Sequence, residues 1–100
     1  MNSQINCPLR KAIKAFGGKW NLIIIKSIGS QEIRFSEVKA TIPDISEKVL
    51  IDKLKFLTEQ KLVVRKDFKE VPPKVSYKLS KLGLQASIIV EQIEDFGKLM

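Results

Sequence analysis

The stretch LVVRKDFKEVPPKVSYKL, residues 62–79, constrains the fold of this chain most. LVVRKDF is rich in β-forming residues, and VSYKL puts Val75, Tyr77 and Leu79 on one side of a returning strand. Pro72 and Pro73, between the two runs, have no N–H to give to a ladder. KEVPPK is therefore a loop, and the two runs are predicted to form an antiparallel hairpin.

Helical patterns flank the hairpin. Pro8 suits the first position of a helix, with Cys7 at its N-cap; Leu9, Ile13 and Phe16 mark one face, and Gly17-Gly18 ends it. WNLIII opens a second helix, about Lys19 to Ile28, whose nearly continuous apolar character predicts extensive burial, with Trp20 in the core. EIRF reads as a short extended piece. Ser36 is the expected cap of a third helix, SEVKATI, with Phe35 and Val38 turned inward, and Pro43 ends it. Ser46 is the expected cap of a fourth, about Glu47 to Gln60, with Leu50, Leu54 and Leu57 on one face. Ser80 caps a last helix carrying Leu82, Ala86, Ile89, Ile93, Phe96 and Met100 in a heptad-like stripe. The expected fold is α+β and mainly α: a winged helix-turn-helix with an extra helix at each end, in a single domain of 100 residues.

Charge narrows the choice of partner. Through residue 81 the chain has 17 Lys/Arg against 8 Asp/Glu, a surplus of +9, whereas residues 82–100 carry −2. A basic body suits a polyanion, with double-stranded DNA the first candidate; the bland alternative is a soluble basic surface. One cysteine and no histidine leave no intrachain disulfide and no multi-cysteine metal site, and they remove the commonest general base. No phosphate-cradling loop or Ser/His/Asp set is present. The expectation is a non-enzyme without cofactor. No apolar run reaches the ~20 residues of a membrane span, and no signal-peptide pattern opens the chain, so no membrane partner and a cytoplasmic location are expected.

The third and fourth helices, joined through PDI, have the spacing of a helix-turn-helix whose second member lies in a major groove. On the fourth helix Ser46 can donate to a phosphate. Lys48 and Lys55 can reach phosphates or guanine edges, and Asp52 can accept from cytosine. A plain solvated face would have the same composition, and both readings are open for this helix alone. The hairpin adds Arg65 and Lys66 on its strands and Lys69 and Lys74 around a proline-stiffened loop, the wing at about 69–74. Lys19 opposes the macrodipole of the second helix, which a phosphate would reverse, and Arg34 can reach a phosphate or pair with Glu32 or Glu37. The last helix, about 81–100, is too apolar for one packed side. A homodimer built with the first helix, about 8–16, would bury Leu9, Ile13, Ile89, Ile93, Phe96 and Met100. A winged-helix module that binds protein without reading DNA sequence is the alternative.

CP at 7–8, GGKW at 17–20, IRFSEV at 33–38, IPDISEKVL at 42–50, LKFL at 54–57, VPPKVSYKLSKLG at 71–83 and FG at 96–97 occur in an order and spacing that resemble the HxlR-type winged-helix transcriptional regulators of bacteria and archaea. The resemblance covers about Cys7 to Gly97. It implies a homodimer on palindromic sites, a recognition helix at about 47–60, and in several members a response to oxidants or electrophiles through the cysteine before the proline, here Cys7. Two positions depart from the pattern. Ile51 stands where a polar residue is common, which favours a thymine-methyl contact, and Lys61 replaces the usual glycine before the hairpin. Cys7 has its own physical case. The helix N-terminus and Arg10, Lys11 and Lys14 favour a thiolate there; the alternative is a buried, inert cysteine at a dimer interface.

Overall fold

The computed structural model describes residues 7–100; the first six positions of the expected single domain lie outside the described residues. Five helices and three strands follow in the order α1 (Pro8–Phe16), α2 (Lys19–Ile28), β1 (Ile33–Arg34), α3 (Phe35–Thr41), α4 (Glu47–Glu59), β2 (Val63–Asp67), β3 (Val75–Leu79) and α5 (Lys81–Gly97). The EIRF segment does more than extend. Ile33 and Arg34 pair with Tyr77 and Ser76, so β1 completes an antiparallel sheet of order β1-β3-β2. The hairpin registers Val63 against Leu79 and Arg65 against Tyr77.

The core lies between α2, α4 and the sheet. Ile24, Ile25 and Ile28 of α2 meet Leu50, Leu54 and Leu57 of α4, with Val38, Ile42, Ile45, Leu62, Val63 and Leu79 closing around them. Burial in α2 is less complete than its apolar run predicts. Ile23 is exposed, and Trp20 is half-buried against the core edge with the Lys19 ammonium 5.0 Å from its ring centre. A helix buries a stripe, and four consecutive apolar residues cannot all lie within it.

Caps explain most boundaries. Ser46 Oγ accepts from the Val49 N–H at 3.1 Å and Ser80 Oγ from the Gly83 N–H at 3.0 Å, so both expected caps form. Ser36 does not cap α3. The helix starts one residue earlier, with Arg34 at the N-cap, because the Glu37 carboxylate accepts from the Arg34 N–H at 2.8 Å and fills that role from inside the first turn.

α4 ends in a Schellman motif with a lysine at its left-handed position. Lys61 has φ 66, its N–H donates to the Thr58 carbonyl at 3.0 Å, and the Leu62 N–H reaches back to Leu57 at 3.0 Å. Leu57 and Leu62 are both buried, which supplies the apolar contact of the motif. The turn thus keeps the geometry that a glycine would favour and carries the cost of a Cβ. Lys61→Gly is expected to raise stability by about 0.5–1 kcal/mol, after the entropy that glycine adds to the unfolded chain, read as a melting temperature a few degrees higher.

α5 binds the body through Gly83, Ala86 and Val90, not through the heptad-like stripe, and every residue from Glu91 to Met100 is exposed. The helix ends at Gly97, so Met100 lies beyond it. α1 contributes no buried residue. An ion pair from Lys26 of α2 to Glu94 ties α5 to the body. The hydrogen bond and charge of Lys26 hold the Glu94 carboxyl below its ordinary range. A lowered folded-state pKa stabilises above the unfolded value, and that stabilisation is lost as pH falls through the folded value. Glu94→Gln should therefore flatten the acid limb of a melting-temperature profile below about pH 4.5 and leave its neutral slope alone.

Candidate nucleic-acid interface

The turn between α3 and α4 is anchored at both ends. Ile42 and Ile45 are buried, the Ile45 N–H donates to the Ile42 carbonyl at 3.2 Å, and Lys39 Nζ donates to the Pro43 carbonyl at 3.1 Å. This fixes how α4 leaves the body. Its leucines point into the core, and Lys48, Ile51, Asp52 and Lys55 remain exposed. Ser46 uses its oxygen to accept from Val49, and its hydroxyl hydrogen is left to donate outward.

The structure divides that exposed face. Ile51 and Lys55 line a cleft of about 420 Å³ with Thr58, Glu59, Arg65 and Tyr77, between α4 and the hairpin. Asp52 faces the other flank, where it lines a cleft with Lys53, Phe56 and the α1–α2 junction. Lys48 falls between the two directions at 100° per residue. Arg65, which the sequence assigns only to the basic hairpin, joins the α4 side of the cleft. Strand alternation carries the signal: Val63 points into the core against α4, so Arg65, two residues on, shares that side.

The wing is organised around Phe68. The Lys66 and Lys74 ammonium groups lie 4.7 and 4.4 Å from its ring centre, and its N–H donates to the Lys74 carbonyl at 2.9 Å. Lys69 is exposed in a left-handed conformation, φ 53, with its N–H donating to Asp67 Oδ1 at 2.8 Å. Across the ladder from Lys66 the Ser76 hydroxyl, in a buried residue, donates to Glu32 at 2.6 Å. That bond, followed by the charges of Lys66, Lys78 and Lys74, holds the Glu32 carboxyl below its usual range. Lys19 and Arg34 are exposed but do not line the α4–hairpin cleft. Arg34 pairs with neither Glu32 nor Glu37, the ion pairs among the described residues being Lys26–Glu94 and Lys98–Asp95.

An α3–turn–α4 unit with a basic hairpin beside it can straddle a duplex. The sequence profile of the HxlR-like helix-turn-helix family matches residues 15–100. The chain belongs to this family. Like other HxlR-type proteins, it is a DNA-binding regulator of transcription. A solved structure from Porphyromonas gingivalis W83, described as a transcriptional regulator of the MarR family, superposes with a TM-score of 0.90 at 46% identity, covering 98% of this chain and 96% of that one. The redox regulator HypR in its oxidised form gives 0.85 at 31% identity, covering 94% and 97%. The transcriptional regulator YodB of Bacillus subtilis is 34% identical over 89 residues, 88% of this chain and 80% of YodB.

Two further features of this HxlR-type chain bear on its use of DNA. The residues predicted for a dimer interface, Leu9, Ile13, Ile89, Ile93, Phe96 and Met100, are all exposed, with Phe96 at 63%. Cys7 is half-buried at the N-cap of α1, and its carbonyl accepts from the Lys11 N–H at 3.0 Å.

Proposed function

We propose that this HxlR-type regulator acts as a homodimer on a palindromic operator, with α4 in the major groove and the β2–β3 wing on the flanking backbone. The observation that carries the reading is the placement of Lys48, Lys55 and Arg65 around one exposed face of α4, beside a wing whose lysines are held on Phe68. Ser46 at the helix start and Lys69 at the wing extend the same set of contacts; Lys19 and Arg34 serve phosphates at the periphery. Ile51 meets a thymine methyl and Asp52 a cytosine amino group. A second subunit is supported by helix faces that one subunit leaves exposed. A nine-residue helix without buried residues does not hold itself in water, and α5 beyond Val90 exposes Ile93 and Phe96.

Cys7 is the proposed switch. It starts α1, so a covalent link there acts on the interface that sets the spacing of the two recognition helices. HypR is described as a redox regulator and YodB has been solved after diamide treatment, which supports the same reading here. With one cysteine in the sequence, the reversible products are a disulfide between the Cys7 residues of the two subunits or a mixed disulfide with a small thiol. In the first, two thiols give two protons and two electrons to the oxidant as the S–S bond forms; diamide accepts both pairs and becomes a hydrazine.

Fluorescence anisotropy on DNA upstream of neighbouring genes, over a salt series and with and without diamide, tests both parts. Wild type should bind with sequence preference and a steep salt slope. Diamide should change the affinity of wild type and leave Cys7→Ser unchanged. Equal responses of the two proteins would remove the switch; binding without sequence preference would remove the operator reading.

A further inference from the structure

We propose that Phe68 is a positioning residue for DNA binding: its ring holds the Lys66 and Lys74 ammonium groups together as a preformed pair for the phosphate backbone of the duplex. The role deepens the reading of the β2–β3 wing given above and rests on it.

The backbone places the ring. Asp67 and Val75 are the last register pair of the hairpin, and the Phe68 N–H donates to the Lys74 carbonyl at 2.9 Å, which carries the pairing one residue further. Phe68 therefore stands where the strands open into the loop, with Lys74 opposite it. Lys66 lies two residues before Phe68, so the alternation of an extended chain turns both to one side.

Core packing does not account for this ring. Phe68 is half-buried, and among the described residues it is not one of the apolar side chains in the core or packed against it. The ring instead meets two cations, with Lys66 Nζ 4.7 Å and Lys74 Nζ 4.4 Å from its centre. Among the described residues it is the one ring that carries two. The charges stand no further apart than the sum of those distances, about 9 Å. That is inside the ~10 Å Debye length at 0.1 M salt, so they repel each other. Neither has an ion-pair partner among the described residues. The Glu32 carboxylate feels both charges, but its hydrogen bond comes from Ser76.

Two like charges gathered on a π face without a counter-ion are arranged for an anion from outside. The ring contact is electrostatic and takes no lone pair, so each ammonium keeps donors for a phosphate oxygen. Holding the side chains also lowers the cost of binding. A free lysine gives up rotamer freedom when it docks on DNA, and one already seated on a ring gives up less. Phe68 thus acts through the two lysines and needs no contact with the duplex itself.

Two measurements test the role. In NMR spectra of the free wild-type chain, the ε-methylene protons of Lys66 and Lys74 should be displaced upfield by the ring. Their absence from shielded positions overturns the proposal without any variant. The second measurement is a double-mutant cycle, read by anisotropy on a labelled duplex from the DNA upstream of neighbouring genes. Phe68→Leu should weaken binding about tenfold in the wild-type background and by no more than about twofold in Lys66→Ala, Lys74→Ala, where nothing is left to position. Phe68→Tyr keeps the ring and should stay within about twofold of wild type. A Phe68→Leu loss that is equal in both backgrounds marks a general defect of the wing and overturns the proposal, as does Phe68→Leu binding like wild type. If the lysine double variant loses affinity and Phe68→Leu does not, the positioning role falls and the wing reading stands. If the lysine double variant binds like wild type, the wing reading itself falls.

Discussion

Gly83→Ala is expected to cost about 3 kcal/mol, seen as a melting temperature about 12–24 °C lower. Gly83 sits in the first turn of α5, where the helix leaves the sheet. A Cβ there would overlap the Leu62 carbonyl oxygen and crowd the Leu79 Cβ. Neither neighbour can yield cheaply. The Leu62 carbonyl accepts from the Ser80 N–H at 3.0 Å, and Ser80 in turn caps α5 through the Gly83 N–H. Relief means lifting the helix start away from the sheet, which breaks that bond and loosens Ala86 and Val90 further along. A chain of this size has about 5–15 kcal/mol of stability in all, so the loss is a large share of it. Gly97→Ala is the matched control, since a Cβ there meets nothing within 4 Å. Thermal denaturation of both separates overlap from helix propensity, and equal responses would refute the packing argument.

The second large effect concerns DNA. The double substitution Lys48→Ala, Lys55→Ala should weaken operator binding by about 30-fold to 10⁴-fold, the product of two contacts of about 1–3 kcal/mol each. Both side chains stand on the exposed face of α4, and neither has an acidic partner among the described residues. Their charge is therefore available to a duplex without first breaking an ion pair. Anisotropy over a salt series distinguishes the kinds of contact: losing a phosphate contact flattens the slope by about one unit, whereas losing a guanine contact relaxes specificity at one base pair. An unchanged affinity would take α4 out of the groove. Lys74→Ala should behave differently, with a smaller loss that is uniform across sequences, because its ammonium is held on the Phe68 ring in the wing.

Much of this was legible in the chain. Pro8, Gly17, Ser46 and Ser80 state their roles locally, since a missing N–H, a left-handed turn and an oxygen acceptor each act within a few residues. The structure places a helix boundary at each of them. Ser36 misled because it competes with a neighbour: the Glu37 carboxylate reaches the Arg34 N–H first, and α3 starts one residue early. The basic wing was readable as composition. The hold of Phe68 on Lys66 and Lys74 was not, because it depends on the hairpin bringing residues 66 and 74 to one ring.

The sequence by itself determined the order of elements, the caps at Ser46 and Ser80, the basic body with its mildly acidic last helix, and through its motifs the HxlR-like family. These are properties of short windows and sums, which need no knowledge of what lies across the fold. Only the tertiary structure decided that α5 packs through Gly83, Ala86 and Val90 and leaves its apolar stripe outside, that Arg65 joins the α4 face, and that Asn21 is buried with its Oδ1 unpartnered among the described residues. Each of these depends on which surfaces meet. Burial and hydrogen bonding between residues tens of positions apart are set by packing geometry, and no local pattern carries that information.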